Sequence, residues 1–397
     1  MLDLPFVRSH FPALQSGFVF MDNAGGSQVP RQVVERIGEY LTAYNVQLGA
    51  SYEVSASAGQ KLQEVTHRMA RFIHASRMEE VVVGPSTTLL LRILSICLSR
   101  QWRAGDEVIV TNSDHEANVS CWMDLREKGI VVKIWKLNPD TLEFDLDDLR
   151  GLLTERTRLV AMVHASNILG TINPVREVAE VVHAAGALLC VDGVAYAPHR
   201  PVDVQAFGAD FYVFSTYKVY GPHLSILYGR YELLRELDGI NHYFIGKEQV
   251  PYKLQPGNFN FELTYGLQGV LDYFEALQAH HAGPVFELIA AHEESLAETL
   301  LAYLRTVPEI RIIGRKDSHR DRRVPTISFV HDRYRSSDIA THVDPHRIGI
   351  RFGDFYAKKL IQDHGLEAKD GVVRVSLVHY NTLQEVEALI GVFRGMF

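Results

Sequence analysis

The sequence predicts an α/β protein in which a large domain with a mostly parallel, doubly wound sheet is followed by a smaller α+β domain. Short apolar runs alternate with helical patterns from Val81 to Tyr228, and polar residues follow most of these runs. Such alternation is typical of parallel sheets with helices on both faces. From about Val285 the pattern changes to one long helix and several short strands. We therefore predict a large domain over residues 18–284 and a small domain formed by residues 1–17 and 285–397.

The predicted strands are short apolar runs that end in Gly, Pro or polar residues. In the large domain they are Phe18–Met21, Val81–Val83, Glu107–Thr111, Val131–Leu137, Leu159–Val163, Ala187–Asp192 and the run from Phe211 into Ser215. In the small domain they are Arg311–Ile313, Thr326–Val330, Gly349–Phe352 and Val372–Val378. Helical spacing predicts helices at Arg31–Leu48, Met69–Ile73, Leu89–Leu98, Leu146–Leu153, Val175–Ala185, Val285–Leu304 and Leu383–Phe393.

Lys218 follows the apolar run that begins at Phe211, and Asp192 ends the run before it. A buried lysine must pair, shift its pKa or react, whereas a lysine at a strand end can also extend into solvent. Because ligands of open α/β sheets bind at the carboxyl ends of strands, Lys218 and Asp192 are expected to face one site. Pyridoxal phosphate needs such a pair: a lysine that forms a Schiff base and a carboxylate that keeps the ring nitrogen protonated.

A possible phosphate site lies between Gly84-Pro85 and the predicted helix at Leu89–Leu98. Ser86, Thr87 and Thr88 occupy this junction. Free backbone N–H groups, the positive end of the helix dipole and the hydroxyls would favour an anion, although these residues could also serve only as a helix cap. The nucleotide-binding motifs G-x-x-x-x-G-K-[ST] and G-x-G-x-x-G are absent.

Two further residues suit such a site. His115 follows the strand Glu107–Thr111, where a neutral imidazole could lie flat against an aromatic ring or serve a structural purpose. Arg374 interrupts the apolar strand Val372–Val378. A guanidinium group binds a carboxylate through two hydrogen bonds, which would suit an amino-acid substrate, whereas an arginine on an edge strand would face solvent.

Composition argues against several other functions. The net charge of −8, without a long run of Lys or Arg, disfavours nucleic acid and anionic membranes as partners. No apolar stretch is long enough to span a membrane and the N-terminus lacks targeting features, so we predict a cytoplasmic protein. The three cysteines, Cys97, Cys121 and Cys190, are widely spaced and predict reduced core thiols.

Two other kinds of site find little support. The 18 histidines include no H-E-x-x-H pair of the kind that binds zinc. The spacing Ser215-x-x-Lys218 matches a serine acyl-enzyme motif, but an apolar strand precedes it and no K-T-G follows.

Seven motifs together resemble the class V aminotransferase family of fold-type I pyridoxal phosphate enzymes, specifically its cysteine-desulfurase-like branch. They are MDNAGGSQVP (21–30), STT (86–88), DHEANVSCW (114–122), HASNILGT (164–171), VDGVAYAPH (191–199), FSTYKVYGP (214–222) and RVSLVHYNT (374–382). They follow the family's order over nearly the whole chain. The resemblance implies the fold-type I architecture, pyridoxal 5'-phosphate as cofactor and a homodimer with its sites at the interface.

The resemblance also assigns roles to the site residues. Lys218 is similar to the family's Schiff-base lysine and proton carrier, Asp192 to the partner of the pyridine nitrogen, and His115 to the residue stacked on the ring. Asn167 corresponds to the residue near the phenolic oxygen and the substrate carboxylate. The remaining assignments are Thr87, Thr88, Ser215 and Tyr217 near the phosphate, Arg374 at the substrate α-carboxylate, and Asn258, where a Thr is usual, on the segment that crosses from the partner subunit.

The departures from the family concern the reaction. Desulfurases have a nucleophilic Cys on a loop of the small domain, and in the matching stretch, residues 351–357, Tyr356 takes its place. Tyr217 replaces a His, and Ala195 replaces a Gln or His near the cofactor oxygen. Without a thiol the usual transfer of sulfur cannot occur, unless Cys121 acts as a substitute.

We therefore expect a pyridoxal phosphate enzyme that acts on a small amino acid or amine. The first expectation is α,β-elimination, of the carbon–sulfur lyase or deaminase type, with Lys218 removing the α-proton. Transamination uses the same groups, and epimerisation needs a second base, for which the substrate-side Tyr356 is a candidate. Desulfuration by an unusual route and a non-catalytic cofactor-binding protein are further alternatives.

Overall fold

The first part of the chain is mainly helical in the computed structural model, which describes all 397 residues. Its elements are α1 (Leu4–Ser9), β1 (Val19–Phe20), α2 (Arg31–Glu39) and α3 (Glu53–Phe72). A π-helical turn at Tyr40–Tyr44 extends α2, and the chain leaves the helical conformation at Asn45. The helix predicted over Arg31–Leu48 is therefore too long, because Asn favours helix ends.

Seven strands form the central sheet. They are β2 (Val81–Gly84), β3 (Glu107–Thr111), β4 (Val131–Trp135), β5 (Thr157–Val163), β6 (Leu188–Asp192), β7 (Phe211–Ser215) and β8 (Ser225–Gly229). Their order is β2-β8-β7-β6-β5-β3-β4, and only β8 runs antiparallel to its neighbours. The predicted mostly parallel sheet is confirmed. The carboxyl ends of β3, β5, β6 and β7 consequently lie at one edge.

Both faces of this sheet are covered. Along β7, Tyr212 and Phe214 pack into one apolar cluster, whereas Phe211 and Val213 pack into another. The helices of this region are α4 (Thr87–Ser99), α5 (Ser120–Met123), α6 (Leu146–Leu152), α7 (Val175–Ala184), α8 (Val204–Phe207), α9 (Tyr231–Glu236) and α10 (Phe261–His280).

The longest of these helices, α10, was not predicted from the sequence. Its buried residues lie on several sides, so it lacks the single apolar stripe that identifies an amphipathic helix. It packs against α2 and α3. At Gly269 the backbones come so close that a Cβ atom would lie 2.4 Å from the Val33 nitrogen, which explains the glycine.

The C-terminal part is built on a four-stranded antiparallel sheet of order β12-β13-β10-β9. Its elements are α11 (Val285–Leu304), β9 (Ile310–Ile313), β10 (Thr326–His331), α12 (Ser336–Val343), β11 (Ile348–Gly349), β12 (Arg351–Gly353), α13 (Lys358–Asp363), β13 (Val372–Ser376) and α14 (Leu383–Arg394). Strand β13 lies inside the sheet, so Arg374 is not on an edge strand. None of the helices in the structure combines the length and apolar character needed to cross a membrane.

Two segments connect the cores of the two parts. In α11, Ile289 packs with the core of the large sheet, whereas Leu296 packs with the core of the small one. Near the N-terminus, Phe11 joins the large core, and Met21 joins the small one. The predicted domain limits at residues 18 and 285 thus stay a prediction, because both segments contribute to both cores.

Candidate active site

A pocket of about 510 Å³ opens at the carboxyl edge of the large sheet. Most of the predicted site residues line it, namely Thr87, Thr88, His115, Asn167, Asp192, Ser215, Tyr217 and Lys218. They follow five separate strands, so the sheet brings them together.

Lys218 ends the 3₁₀ turn Thr216–Lys218, directly after β7, and is buried. Its carbonyl oxygen accepts a hydrogen bond from the Ser27 hydroxyl at 3.0 Å, which fixes the turn. Burial, followed by the positive charge of Arg374, lowers the pKa of Lys218 to about 8, against the opposing effect of Asp192. At pH 7 about one tenth of this amine is therefore neutral and nucleophilic, far more than in an ordinary lysine.

Asp192 is the last residue of β6 and is also buried. Its Oδ1 atom accepts a hydrogen bond from the Val194 amide at 2.9 Å. Burial raises the pKa of Asp192 to about 6, so the group is mainly a carboxylate at neutral pH. The next residue must be glycine, because a Cβ atom on Gly193 would lie 2.1 Å from the Tyr212 ring.

His115 lies in the turn after β3, and its Nδ1 atom accepts a hydrogen bond from the Ala117 amide at 3.0 Å. Burial and the nearby charges of Lys218 and Arg374 lower the pKa of His115 to about 4. The ring is therefore neutral and carries its proton on Nε2. A neutral imidazole is the form that can lie against an aromatic ring without adding charge.

Asp114 supports this turn and was not identified from the sequence. Its carboxylate accepts hydrogen bonds from Asn118 Nδ2 at 2.6 Å, from the Val163 amide at 3.1 Å and from the Thr111 hydroxyl. Burial raises the pKa of Asp114 to about 7. The carboxylate connects the turn after β3 to the end of β5, which holds His115 in place.

Three buried hydroxyl groups meet at the N-terminus of α4. Thr87 Oγ1 lies 2.7 Å from Ser215 Oγ and 3.1 Å from Ser225 Oγ. The Ser86 side chain accepts a hydrogen bond from the Leu89 amide at 3.2 Å and so caps the helix, which leaves Thr87 and Thr88 facing the pocket. Hydroxyls beside a helix N-terminus form an anion site. Ser225 was not identified from the sequence, because it lies on the next strand.

Arg374 lies beside Asn167, which lines the pocket, whereas Arg374 itself is not a lining residue. Arg374 is only 2% exposed, and its Nη2 atom donates to Asp22 Oδ1 at 2.8 Å. Its Nη1 atom donates to the Asn167 carbonyl oxygen at 3.2 Å. Arg374 Nε and Asn167 Oδ1 are buried without a hydrogen-bond partner. Unpaired buried polar atoms are costly, and these two indicate a place for a polar ligand.

The loop between β12 and α13 carries Tyr356, which is 69% exposed and does not line the pocket. Its ring centre lies 5.2 Å from that of His115. The preceding residue, Phe355, accepts a hydrogen bond on its carbonyl oxygen from Asn167 Nδ2 at 2.9 Å. Phe355 was not identified from the sequence.

Asn258 and Tyr217 have different surroundings. Asn258 pairs with Gln47, with amide atoms 3.2 Å apart, and lies outside the pocket of its own chain. Its predicted contribution to the partner's site stays a prediction. Tyr217 lines the pocket, and its ring stacks on that of His223 at 4.8 Å between ring centres. Burial raises the pKa of Tyr217, so it is a neutral hydrogen-bonding group.

No cysteine lines the pocket. Cys97, Cys121 and Cys190 are all buried. Burial raises the pKa of Cys121 well above its usual range, and its Sγ atom donates to the Ala117 carbonyl oxygen at 3.3 Å. A nucleophilic thiol has a lowered pKa and access to substrate, and Cys121 has neither.

Comparison with known proteins identifies the family. The model of class V aminotransferases matches residues 19–389, nearly the whole chain. The chain belongs to the class V aminotransferase family. It is 43% identical over 394 residues to the aminotransferase-like protein FGM3 of Gibberella zeae, covering 97% of this chain and 96% of that protein. It is 36% identical over 403 residues to the cysteine desulfurase-like protein ustD of Aspergillus flavus, covering 98% of this chain and 89% of that protein.

A solved structure extends the comparison to the fold. The apo structure of the cysteine desulfurase from Thermococcus onnurineus superposes with a TM-score of 0.91 at 25% identity, and the alignment covers 100% of this chain and 99% of that one. This class V protein thus has the fold-type I architecture, and its cysteine-desulfurase-like character, predicted from the motifs, is confirmed.

Pyridoxal phosphate is the cofactor of this family, and the residues of the pocket fit it. The hydroxyls at the N-terminus of α4 could donate hydrogen bonds to its phosphate, and the Asp192 carboxylate could accept one from its protonated ring nitrogen. The amine of Lys218 could form a Schiff base with its aldehyde. Asn167, whose Oδ1 atom is buried without a partner, also lines the pocket and could bind a polar group of a ligand.

Proposed function

We propose that this class V protein is a pyridoxal phosphate enzyme that catalyses α,β-elimination on a small amino acid. The proposal depends mainly on one observation: Lys218 is buried with a pKa lowered to about 8, at the same sheet edge as Asp192. Such a lysine can act as nucleophile and as proton carrier near neutral pH.

Each part of the cofactor has residues that would hold it. Thr87, Thr88 and Ser215 would bind the phosphate at the N-terminus of α4, and His115 would lie on the ring. Asp192 would keep a proton on the ring nitrogen. When bound, the group supplies an electron-accepting ring conjugated to the amino group of the substrate.

The protein's own residues would then handle the substrate. Arg374 and Asn167 bind and orient the α-carboxylate, which places the Cα proton near Lys218 Nζ. Lys218 takes this proton and returns it to the group that leaves Cβ with its bonding electrons. The resulting enamine takes up water and yields a keto acid and ammonia.

Elimination is preferred over transfer of sulfur because it needs no thiol. The family position of the nucleophilic cysteine holds Tyr356, and Cys121 is buried with a raised pKa. Transamination is the second candidate, which the name of the aminotransferase-like relative favours. Both reactions begin with loss of the same Cα proton.

We also propose that the protein forms a homodimer through the surface that carries Asn258. Large apolar side chains are exposed on α3 and α4 and near them, including Tyr52 (51%), Val54 (39%) and Leu89 (44%). An apolar groove of about 770 Å³ lies between Asn258 and the start of α4. Exposed apolar patches of this kind mark protein interfaces.

The test is a titration of the cofactor-loaded protein with a panel of amino acids and amines, followed by visible absorption. Each mixture is assayed for keto acid, ammonia and sulfide. Release of keto acid and ammonia with recovery of the starting spectrum would support elimination. Loss of the visible band that only added keto acid restores would establish transamination instead. No spectral response to any compound would indicate a non-catalytic cofactor-binding protein.

Lys218→Ala supplies the control for these titrations. It removes the amine and should abolish both the visible band of the bound cofactor and turnover. If Lys218→Ala kept the band unchanged, the assignment of Lys218 would be wrong.

A further inference from the structure

The β12–α13 loop, residues 354–357, contacts Glu116, Asn167 and Arg374, of which Asn167 lines the pocket. The Glu116 amide donates a hydrogen bond to the Tyr356 carbonyl oxygen at 2.7 Å, and Asn167 Nδ2 donates to the Phe355 carbonyl oxygen at 2.9 Å. The Arg374 guanidinium lies over the Phe355 ring, with Cζ 3.7 Å from the ring centre. The loop thus packs against these residues beside the pocket with both its backbone and a side chain.

The loop holds a strained conformation. Phe355 and Tyr356 both have left-handed backbone angles, with φ of 50° and 59°. Such angles are unfavourable for residues other than glycine and persist where surrounding contacts impose them, often at active sites. Here Asp354 Oδ1 accepts the Tyr356 amide hydrogen at 3.0 Å, in addition to the two contacts with the large domain. These contacts hold the Phe355 ring against Arg374.

The consequence for Arg374 is a fixed orientation. One face of its guanidinium is covered by Phe355, Nη2 is bonded to Asp22, and Nη1 is bonded to the Asn167 carbonyl oxygen. Only Nε has no partner, although it is buried. The guanidinium therefore cannot rotate without losing a contact. Its Nε–H group is free to donate a hydrogen bond to a ligand.

We propose that Phe355 is a specificity-determining positioning residue: by stacking on Arg374 it fixes the guanidinium for a substrate carboxylate, so that the enzyme selects amino acids over amines. The inference rests on the proposed function and narrows its substrate class. Asn167 links the two parts, because its side chain holds the Phe355 carbonyl and its own carbonyl holds Arg374. Loss of the aromatic ring would leave the guanidinium free to tilt. Its binding of a substrate carboxylate would then be weaker.

The test uses L-alanine and ethylamine, which differ only in the carboxylate and carry no leaving group. Their binding to the cofactor-loaded protein is followed by visible absorption. Wild-type protein should bind L-alanine at least about tenfold more tightly, as expected for a charge-assisted pair with arginine. In Phe355→Leu the affinity for L-alanine should fall about tenfold, the size of a desolvated cation–aromatic contact, and the affinity for ethylamine should not change.

Phe355→Trp and Phe352→Leu are the matched controls. Phe355→Trp keeps an aromatic face and should preserve the preference for L-alanine. Phe352 lies three residues away on β12, is 40% exposed and pairs with Val373 rather than Arg374 across the two strands, so Phe352→Leu should leave both affinities unchanged. These controls distinguish the stacking contact from general damage to the loop.

Three results with the variants would overturn the inference. The first is that Phe355→Leu lowers the affinity for L-alanine and for ethylamine equally. The second is that Phe355→Leu keeps the preference for L-alanine over ethylamine. The third is that Phe355→Trp loses this preference. Wild-type protein that bound both ligands equally would also overturn it while leaving the proposed function intact. Wild-type protein that responded to neither ligand would contradict the proposed function itself.

Discussion

The hydroxyl oxygens of Thr87 and Ser215 lie 2.7 Å apart, although 128 positions separate the two residues in the chain. Ser225 Oγ completes the group at 3.2 Å from Ser215 Oγ. The first turn of α4 and the ends of two strands thus place three buried hydroxyls around the positive end of a helix. Thr87 and Ser215 also line the pocket, so their hydroxyls can rotate their hydrogens toward a phosphate oxygen when the anion binds.

The first prediction concerns this phosphate site. Thr87→Val and Ser215→Ala should each weaken binding of pyridoxal phosphate by roughly tenfold or more, because each removes a hydrogen bond to a charged oxygen. The dissociation constant is measured by adding the cofactor to cofactor-depleted protein and following visible absorption.

Ser95→Ala is the matched control for these two variants. Ser95 is also buried on α4, but its hydroxyl donates to the Arg92 carbonyl oxygen at 2.9 Å and does not line the pocket. Its loss should leave cofactor affinity unchanged. Equal weakening in Ser95→Ala would show that the hydroxyls at the helix N-terminus have no specific part in binding.

The second prediction is a pH dependence of stability in the cofactor-free protein. The pKa of Lys218 is about 8 in the folded protein and 10.5 is its ordinary value. Between these pH values the unfolded chain holds a proton that the folded protein has lost, so the contribution of Lys218 to stability rises with pH. Below pH 8 the buried ammonium lowers the free energy of unfolding by up to roughly 3 kcal/mol.

Lys218→Met removes the charge at similar volume, so it tests this dependence. Its free energy of unfolding in urea should exceed that of wild-type protein at pH 7, and the difference should shrink as the pH rises from 8 to 10. The exposed Lys136→Met is the control, because water hydrates that ammonium in both states. The same pH-dependent difference in Lys136→Met would contradict the assignment.

The sequence located much of this site because its residues follow apolar strands. Lys218, Asp192, His115 and Asn167 could be placed at one sheet edge on that basis alone. Asp22 could not, because its contact with Arg374 joins residues 352 positions apart in the chain. Phe355 was missed for a similar reason: an aromatic residue in a loop shows its role only when the guanidinium that it stacks against is known.

The third prediction concerns Asp192. Asp192→Asn keeps the shape of the side chain but removes the negative charge that would hold a proton on the ring nitrogen. We expect kcat to fall by about 100-fold or more, the usual size of a proton-positioning contribution. The visible band of the bound cofactor should persist, because Lys218 is intact. Asp192→Glu retains a carboxylate and should recover part of the activity, whereas equal losses in the two variants would argue against the role of the charge.

The fourth prediction separates elimination from epimerisation. The ring centre of Tyr356 lies 5.2 Å from that of His115. The Tyr356 hydroxyl is the candidate second base. Tyr356→Phe keeps the ring and removes the hydroxyl. If elimination is the reaction, as we propose, release of keto acid and ammonia should continue in this variant, because Lys218 alone moves the proton.

The matching measurement is exchange of the Cα hydrogen in deuterated water, together with the chirality of the recovered amino acid. Tyr356→Phe should leave the exchange rate of the L-amino acid unchanged. Appearance of the D-amino acid with wild-type protein, and its loss in Tyr356→Phe, would show that a second base acts on the opposite face. That result would replace elimination by epimerisation, since only epimerisation requires protonation from both sides of Cα.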